Sequence, residues 1–235
     1  MNSILLLHGA LGAKEQFKVL SEMLTGSFDV HSISFSGHGT EDLYGGEFTI
    51  ELFAKEITDY ITLNNLAGIN IFGYSMGGFA ALYAASKQPG LFGKILTLAT
   101  KFEWSPEIAA REIKMLDAEM IKVKVPKFAE ELALRHGADN WKNVLAKTAE
   151  MMTLLGSSNP LTEKILSGIE NEVQLGIGDS DKMVTLEETI SAYRALPNAK
   201  LFVLPGTSHP LEQVDPNRLV YEIERFILPQ AQRGE

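Results

Sequence analysis

The sequence predicts an α/β fold: a mainly parallel sheet of about six strands flanked by helices, interrupted once by an all-helical insertion. Three observations predict it. Short apolar runs alternate with amphipathic stretches over the first hundred residues. Strand signals then vanish between Phe102 and Ile169. The alternation resumes from Val173 onward. Strands alternating with helices call for a parallel sheet covered on both faces.

In chain order, Ser3–Leu7 is an apolar run that reads as a buried strand ending at His8-Gly9. Phe28–Phe35 is a second strand, carrying the β-type residues Phe28, Val30, Ile33 and Phe35. Thr49–Asn64 places Ile50, Phe53, Ala54, Ile57, Tyr60 and Ile61 at helical spacing. Ile69–Phe72 is a third strand, followed by Gly73-Tyr74-Ser75-Met76-Gly77-Gly78 and a small-residue helix over Phe79–Lys87; Ile95–Ala99 is a fourth strand. In the insertion, Ser105 is a cap with Pro106 at the first helical position. Helices are expected over Pro106–Asp117, Lys127–His136, Asn140–Leu155 and Leu161–Ile169, punctuated by Gly137, Gly156 and Pro160. Val173–Ile177 and Lys200–Leu204 are the last strands, and Leu186–Leu196 and Asn217–Leu228 the last helices. The chain so divides into a core of residues 1–101 and 170–235 and an inserted unit of residues 102–169, over one edge of the sheet.

Composition excludes several classes. With 45% apolar and 22% charged residues, the 235-residue chain is an ordinary globular one rather than disordered, collagenous or coiled coil. Cysteine is absent, which removes disulfides, zinc–thiolate sites, iron–sulfur clusters and cysteine nucleophiles. Thirty acids against 21 bases give −9, so neither nucleic acid nor an anionic membrane surface is an expected partner. No apolar run approaches the ~18 residues of a membrane span. The apolar stretch at Met1–Leu7 lacks a basic flank and is too short for a signal peptide, so the expected location is the cytoplasm. The histidines lack a ligand spacing such as His-x-x-x-His, so no metal is expected; no cofactor is expected either.

Gly73-Tyr74-Ser75-Met76-Gly77 is the most specific signal. It is a Gly-x-Ser-x-Gly pattern between a predicted strand and a predicted helix, the context that gives the pattern meaning. A serine on that sharp turn has its hydroxyl clear of the sheet, above the positive end of the next helix. A hydroxyl needs a base, and the base needs an orienting acid. Of five histidines, His209 follows the last strand, at the sheet end where Ser75 also lies and where open parallel sheets build their sites. The acid belongs at the carboxyl end of the preceding strand, where Gly178-Asp179-Ser180-Asp181 offers two. Asp181 is preferred, because Asp179, nearer the strand, suits a loop cap. The backbone N–H groups of Met76 and Ala10 are the candidate oxyanion donors. His8 is expected to tie down its own loop.

These motifs together resemble the α/β-hydrolase superfamily. His8-Gly9-Ala10-Leu11-Gly12 is similar to its oxyanion loop, Ser36-Gly37-His38-Gly39-Thr40 to its glycine–histidine–glycine loop, and Gly73 to Gly78 to its nucleophile elbow. Gly178 to Asp181 and Ser208-His209 fall where the family's acid and histidine do, and the insertion occupies its variable lid position. The family's usual first two strands are missing, which implies six strands rather than eight. The resemblance implies acyl chemistry, since dehalogenases and epoxide hydrolases of the fold carry aspartate at the nucleophile position.

The leading expectation is a serine esterase or acyl hydrolase acting on a small, largely apolar substrate. Trp104, Trp141, Met151, Met152 and Leu155 are expected in its pocket wall, although Met151, Met152, Leu154 and Leu155 would equally serve as helix–helix core. The alternatives are a lyase or C–C hydrolase of the same fold, like the menaquinone-pathway synthase, and a non-enzymatic ligand-binding member. A basic pocket built from Lys101, Lys122, Lys124 or Arg135 would favour the lyase.

Overall fold

The computed structural model describes residues 2–42 and 46–229, so the core bounds at Met1 and Glu235 lie outside the described residues. Six parallel strands form one sheet: β1 (Asn2–Leu7), β2 (Phe28–Ile33), β3 (Ile69–Tyr74), β4 (Phe92–Leu98), β5 (Val173–Gly178) and β6 (Ala199–Leu204). Their order across the sheet is β2-β1-β3-β4-β5-β6. Strand pairing aligns the carboxyl ends: Leu7 lies opposite Gly73, Tyr74 opposite Leu98, Leu98 opposite Gly176 and Gly178 opposite Leu204. The loops that leave these strands therefore share one rim.

Alternate strand residues feed two cores, as the two-residue period of a strand requires. Leu5, Leu7, Ile71, Ile95 and Leu175 face α2 (Ile50–Leu63), α3 (Met76–Lys87) and α9 (Leu186–Ala195). Ile4, Leu6, Phe72 and Leu96 face α1 (Lys18–Leu24) and α10 (Pro216–Ile227). Helix starts follow local chemistry. The Thr49 hydroxyl accepts the N–H of Leu52, and Thr185 and Glu188 cap α9 reciprocally. Helix α1 escapes the sequence pattern because only Leu20 and Leu24 of its seven residues are buried.

The insertion leaves after β4 and returns at its neighbour β5, above the rim. It contains α4 (Pro106–Glu112), α5 (Ala118–Lys124), α6 (Pro126–His136), α7 (Trp141–Ser157) and α8 (Glu163–Leu166). The expected helix over Pro106–Asp117 is shorter than its pattern. It tightens at Ile113–Leu116 and ends, because the Asp117 carboxylate accepts from Glu119 and Met120 N–H and starts α5 instead. The helix expected over Leu161–Ile169 shrinks to Glu163–Leu166, with Leu161 and Ile169 buried as its flanks.

The insertion has two parts. Phe102, Val144, Met151, Leu155, Leu161 and Ile169 join the main core, whereas Ile121, Ala129, Leu132, Trp141 and Leu145 form a separate small core between α5, α6 and the start of α7. Leu154, expected with the apolar cluster of α7, is exposed. Among the described residues no helix is long and apolar enough to cross a membrane.

Candidate active site

Ser75 stands between β3 and α3 with φ 50° and ψ −116°, a left-handed conformation that strains a side-chain-bearing residue. Neighbouring strands hold it there. Its N–H donates to Leu98 O at 2.8 Å, and its carbonyl accepts from Gly78 N at 3.0 Å and from the Thr100 hydroxyl at 3.1 Å. Gly77 is obligatory, because a Cβ there would lie 2.3 Å from Leu7 O. The Ser75 hydroxyl has no hydrogen-bond partner among the described residues, and the residue lines a cavity. Met76 opens α3, where the first N–H groups have no partner within the helix. Ala10, also on the cavity wall, sits in a turn closed by Gly12 N–H on Gly9 O at 3.0 Å.

His209 follows β6, and its Nδ1 donates to Asp181 Oδ2 at 2.7 Å. That contact fixes the tautomer and leaves Nε2 as an acceptor. The other Asp181 oxygen accepts Met183 N–H at 2.8 Å and Val184 N–H at 2.9 Å. Burial opposes ionisation of Asp181, but His209 and these two N–H groups outweigh it and hold the carboxyl below its ordinary range. Asp179 is engaged elsewhere: its carboxylate accepts Gly206 N–H at 2.7 Å and so staples the loop after β5 to the loop after β6. Tyr74 was not visible as a functional residue in the sequence. Its hydroxyl donates to His209 O at 2.8 Å, joining the serine turn to the histidine loop. Burial, then the nearby Glu212 and Asp181, raises the phenol's pKa and so favours the protonated form that makes this bond.

The family described as "alpha/beta hydrolase fold" matches residues 2–145 of this sequence, more than half the chain. The chain belongs to the alpha/beta hydrolase fold family. Ethanol acetyltransferase 1 of Hanseniaspora uvarum is 27% identical over 107 residues, 45% of this chain but only 32% of that protein, so the chain covers about a third of that relative's length. The 2-(acetamidomethylene)succinate hydrolase of Mesorhizobium japonicum is 23% identical over 95% of this chain and 87% of its own length. A thermophilic esterase from Thermogutta terrifontis shares the fold with a TM-score of 0.78 at 21% identity, covering 96% of this chain and 89% of that one.

In this hydrolase-fold chain, the cavity beside Ser75 is walled by Ala10, Ile50, Met76, Phe79, Lys101, Met183 and, from the insertion, Trp104, Glu112, Met151, Met152 and Leu155. The volume open to the centre of a water molecule is about 40 Å³, a few waters' worth. Trp141 is a correction. It does not reach this wall but is buried in the small core with Ile121, Leu132 and Leu145. Residues at one helix spacing diverge here because α7 passes from one core to the other along its length. Of the four candidate cations only Lys101 lies in the wall, and its Nζ is 3.5 Å from the buried Glu188 carboxylate. Lys122 is held at Glu119, 3.6 Å away and outside the cavity, and Lys124 is exposed.

Arg135 and the neighbouring His136 turn inward instead. Arg135 NH1 donates to Leu11 O at 2.7 Å and His136 Nε2 to the same carbonyl at 2.9 Å. Leu11 has φ 60°, next to Ala10, so α6 braces the strained turn that carries one candidate oxyanion donor. His136 Nδ1 also accepts Gly39 N–H at 2.9 Å. His8 is buried. Its Nε2 accepts Phe35 N–H at 3.0 Å, and its Nδ1 donates to Gly9 O at 2.7 Å. Burial is the main cause that lowers His8 to about 3 and His136 to about 4, and it holds His38 between them well below the usual range. Among the described residues no group of three or more His, Asp or Glu side chains is placed to hold a metal ion.

Proposed function

We propose that this protein is a serine hydrolase that cleaves an ester or related acyl bond of a small molecule with a short, largely apolar acyl part. The observation that carries this reading is the Asp181–His209 pair at 2.7 Å on the rim where Ser75 stands in its strained turn. As substrate enters, Ser75 Oγ and His209 Nε2 close to hydrogen-bond distance, a contact that commonly tightens only in the complex. Ser75 Oγ attacks the acyl carbonyl and its proton passes to Nε2. Asp181 holds the ring in register and stabilises its cation. The carbonyl oxygen, now negative, is held by the N–H groups of Ala10 and Met76. The C–O bond to the leaving group breaks as His209 returns the proton to it. Water, deprotonated by His209, then attacks the acyl-enzyme and frees the acid and Ser75.

The inserted helices act as a lid that supplies the acyl-side wall. The small volume beside Ser75 favours acyl groups of a few carbons over long chains. A lyase acting on an anionic substrate would need a basic pocket, and among the described residues the one cation in this wall, Lys101, is paired with Glu188. The test is labelling with a fluorophosphonate followed by peptide mass spectrometry, beside a panel of 4-nitrophenyl esters from acetate to octanoate. Label on Ser75 alone and a maximum at short chains are expected. Label on another serine, or none, overturns the assignment.

A further inference from the structure

Three polar side chains interrupt the otherwise apolar wall beside Ser75, and two of them carry unused donors. The Trp104 indole Nε1 is buried and has no hydrogen-bond partner among the described residues. A buried donor without an acceptor is costly, and native proteins carry few of them. Phenylalanine at this position would keep the ring and avoid that cost. Lys101 Nζ lies 5.9 Å from the centroid of the same ring. Among the described residues it donates to Met183 O at 2.9 Å and to Glu188 Oε2 at 3.5 Å, two bonds from a group with three N–H donors. Trp104 and Lys101 both line the cavity.

The remaining polar group sets the charge of the partner. Glu112 is buried, lines the same cavity, and has one carboxylate oxygen held by Arg111 at 2.9 Å. Glu188 already compensates Lys101. Glu112 is paired with Arg111 and Lys101 with Glu188, so the wall holds no uncompensated positive charge for a substrate carboxylate, whereas a neutral oxygen would satisfy the idle donors without adding charge.

We propose that the acyl group carries a neutral oxygen acceptor, a keto or hydroxyl group a few atoms beyond the scissile carbonyl, received by Trp104 Nε1–H and the free donor of Lys101. This rests on the reading of Ser75 as the acyl-accepting nucleophile. Met151, Met152 and Leu155 then enclose the carbon skeleton.

The experiment compares kcat/KM for matched 4-nitrophenyl esters: 4-oxopentanoate against pentanoate, 3-hydroxybutanoate against butanoate, and the succinate half-ester as the anionic arm. The native protein should prefer at least one oxygenated ester over its alkyl counterpart by about tenfold or more. In Trp104→Phe, which removes the N–H and keeps a ring, that ratio should fall towards one. Equal or better turnover of both alkyl esters by the native protein overturns the inference without any variant. So does a maximum on the succinate half-ester, or an unchanged ratio in a folded Trp104→Phe protein. Fluorophosphonate labelling separates the two levels. No label on Ser75 overturns the parent reading and this one together, whereas label with a flat ester comparison overturns this one alone.

Discussion

The strand-end loops and the inserted helices both face Ser75, but they are held in place by different kinds of bond. On the sheet side many ties run between backbone groups: Ser75 N–H to Leu98 O, Ala99 N–H to Gly176 O, Asp179 N–H to Leu204 O and Ser180 N–H to Thr207 O. On the inserted side they are side chains reaching down. Arg135 and His136 meet Leu11 O, and Asn140 Nδ2 meets Gly37 O at 3.1 Å. Backbone ties between neighbouring strands persist through most substitutions, so the rim keeps one geometry. Side-chain ties can be changed one at a time. The rim is therefore suited to hold reacting groups, and the insertion to vary what they act on.

The largest effects should lie on the rim. Ser75→Ala and His209→Ala should each lower kcat/KM for a short ester by ~10³ or more, and the double variant should be little worse than either, since the residues act as a unit. Asp181→Asn should cost a comparable amount by presenting His209 with the wrong partner. Asp179→Asn loses only a loop staple and should stay within about tenfold. Steady-state rates decide this. If Asp179→Asn is the damaging change, the acid is misassigned and the rim is not the rigid half.

The next effect tests where the two halves touch. Arg135→Met and His136→Leu each remove one of the two side-chain donors on Leu11 O. The turn carrying Ala10 N–H would then relax from its strained conformation. Each should lower kcat by about 10- to 100-fold with little change in KM, because a misplaced oxyanion donor weakens the transition state and not the ground state. His136→Gln, able to donate to Leu11 O, should recover part of the loss. A rise in KM with kcat intact would instead show that α6 only shapes binding.

The same joint should respond to acid. Unfolded histidines take up protons near pH 6.5, whereas folding holds His8 to about 3 and His136 to about 4. The unfolded state thus binds more protons below pH 6.5, so stability falls with pH from there and is fully present above about 7. Tm measured at pH 7.5, 5.5 and 4.5 should fall less steeply for His136→Gln than for the native chain. Equal slopes would mean that His136 titrates normally in the folded protein.

Much of the rim was legible in the sequence, because strands buried on both faces read as continuous apolar runs and the glycines around Ser75 are forced by close backbone approach. The joint was not. Nothing in the pattern around Tyr74 or Arg135 says that a phenol would reach His209 O or that a guanidinium would bend back to Leu11 O. Helix α5 was missed because its one buried apolar residue, Ile121, gives no periodicity, while Val123 is exposed. Trp141 was misplaced for a related reason. Periodicity marks a buried face but not which neighbour buries it.

That misplacement yields the smallest predicted effect on catalysis. Met152 and Trp141 lie on one helix, both nearly fully buried, yet Met152 lines the cavity and Trp141 lies in the small core with Leu132 and Leu145. Met152→Ala should enlarge the acyl wall and shift the ester maximum towards longer chains by a few-fold in relative kcat/KM. Trp141→Leu should leave the ester profile unmoved. It empties part of a buried ring site, so it should lower stability by roughly 2–4 kcal/mol, read as a drop in Tm or in the denaturant midpoint. Arg135 and His136 lie on α6, which packs on that small core, so the two readouts also report on the brace at Leu11. If Trp141→Leu moves the ester profile as far as Met152→Ala does, the small core sets the position of the cavity wall. The insertion would then act as one rigid piece rather than as a brace and a wall that can be altered separately.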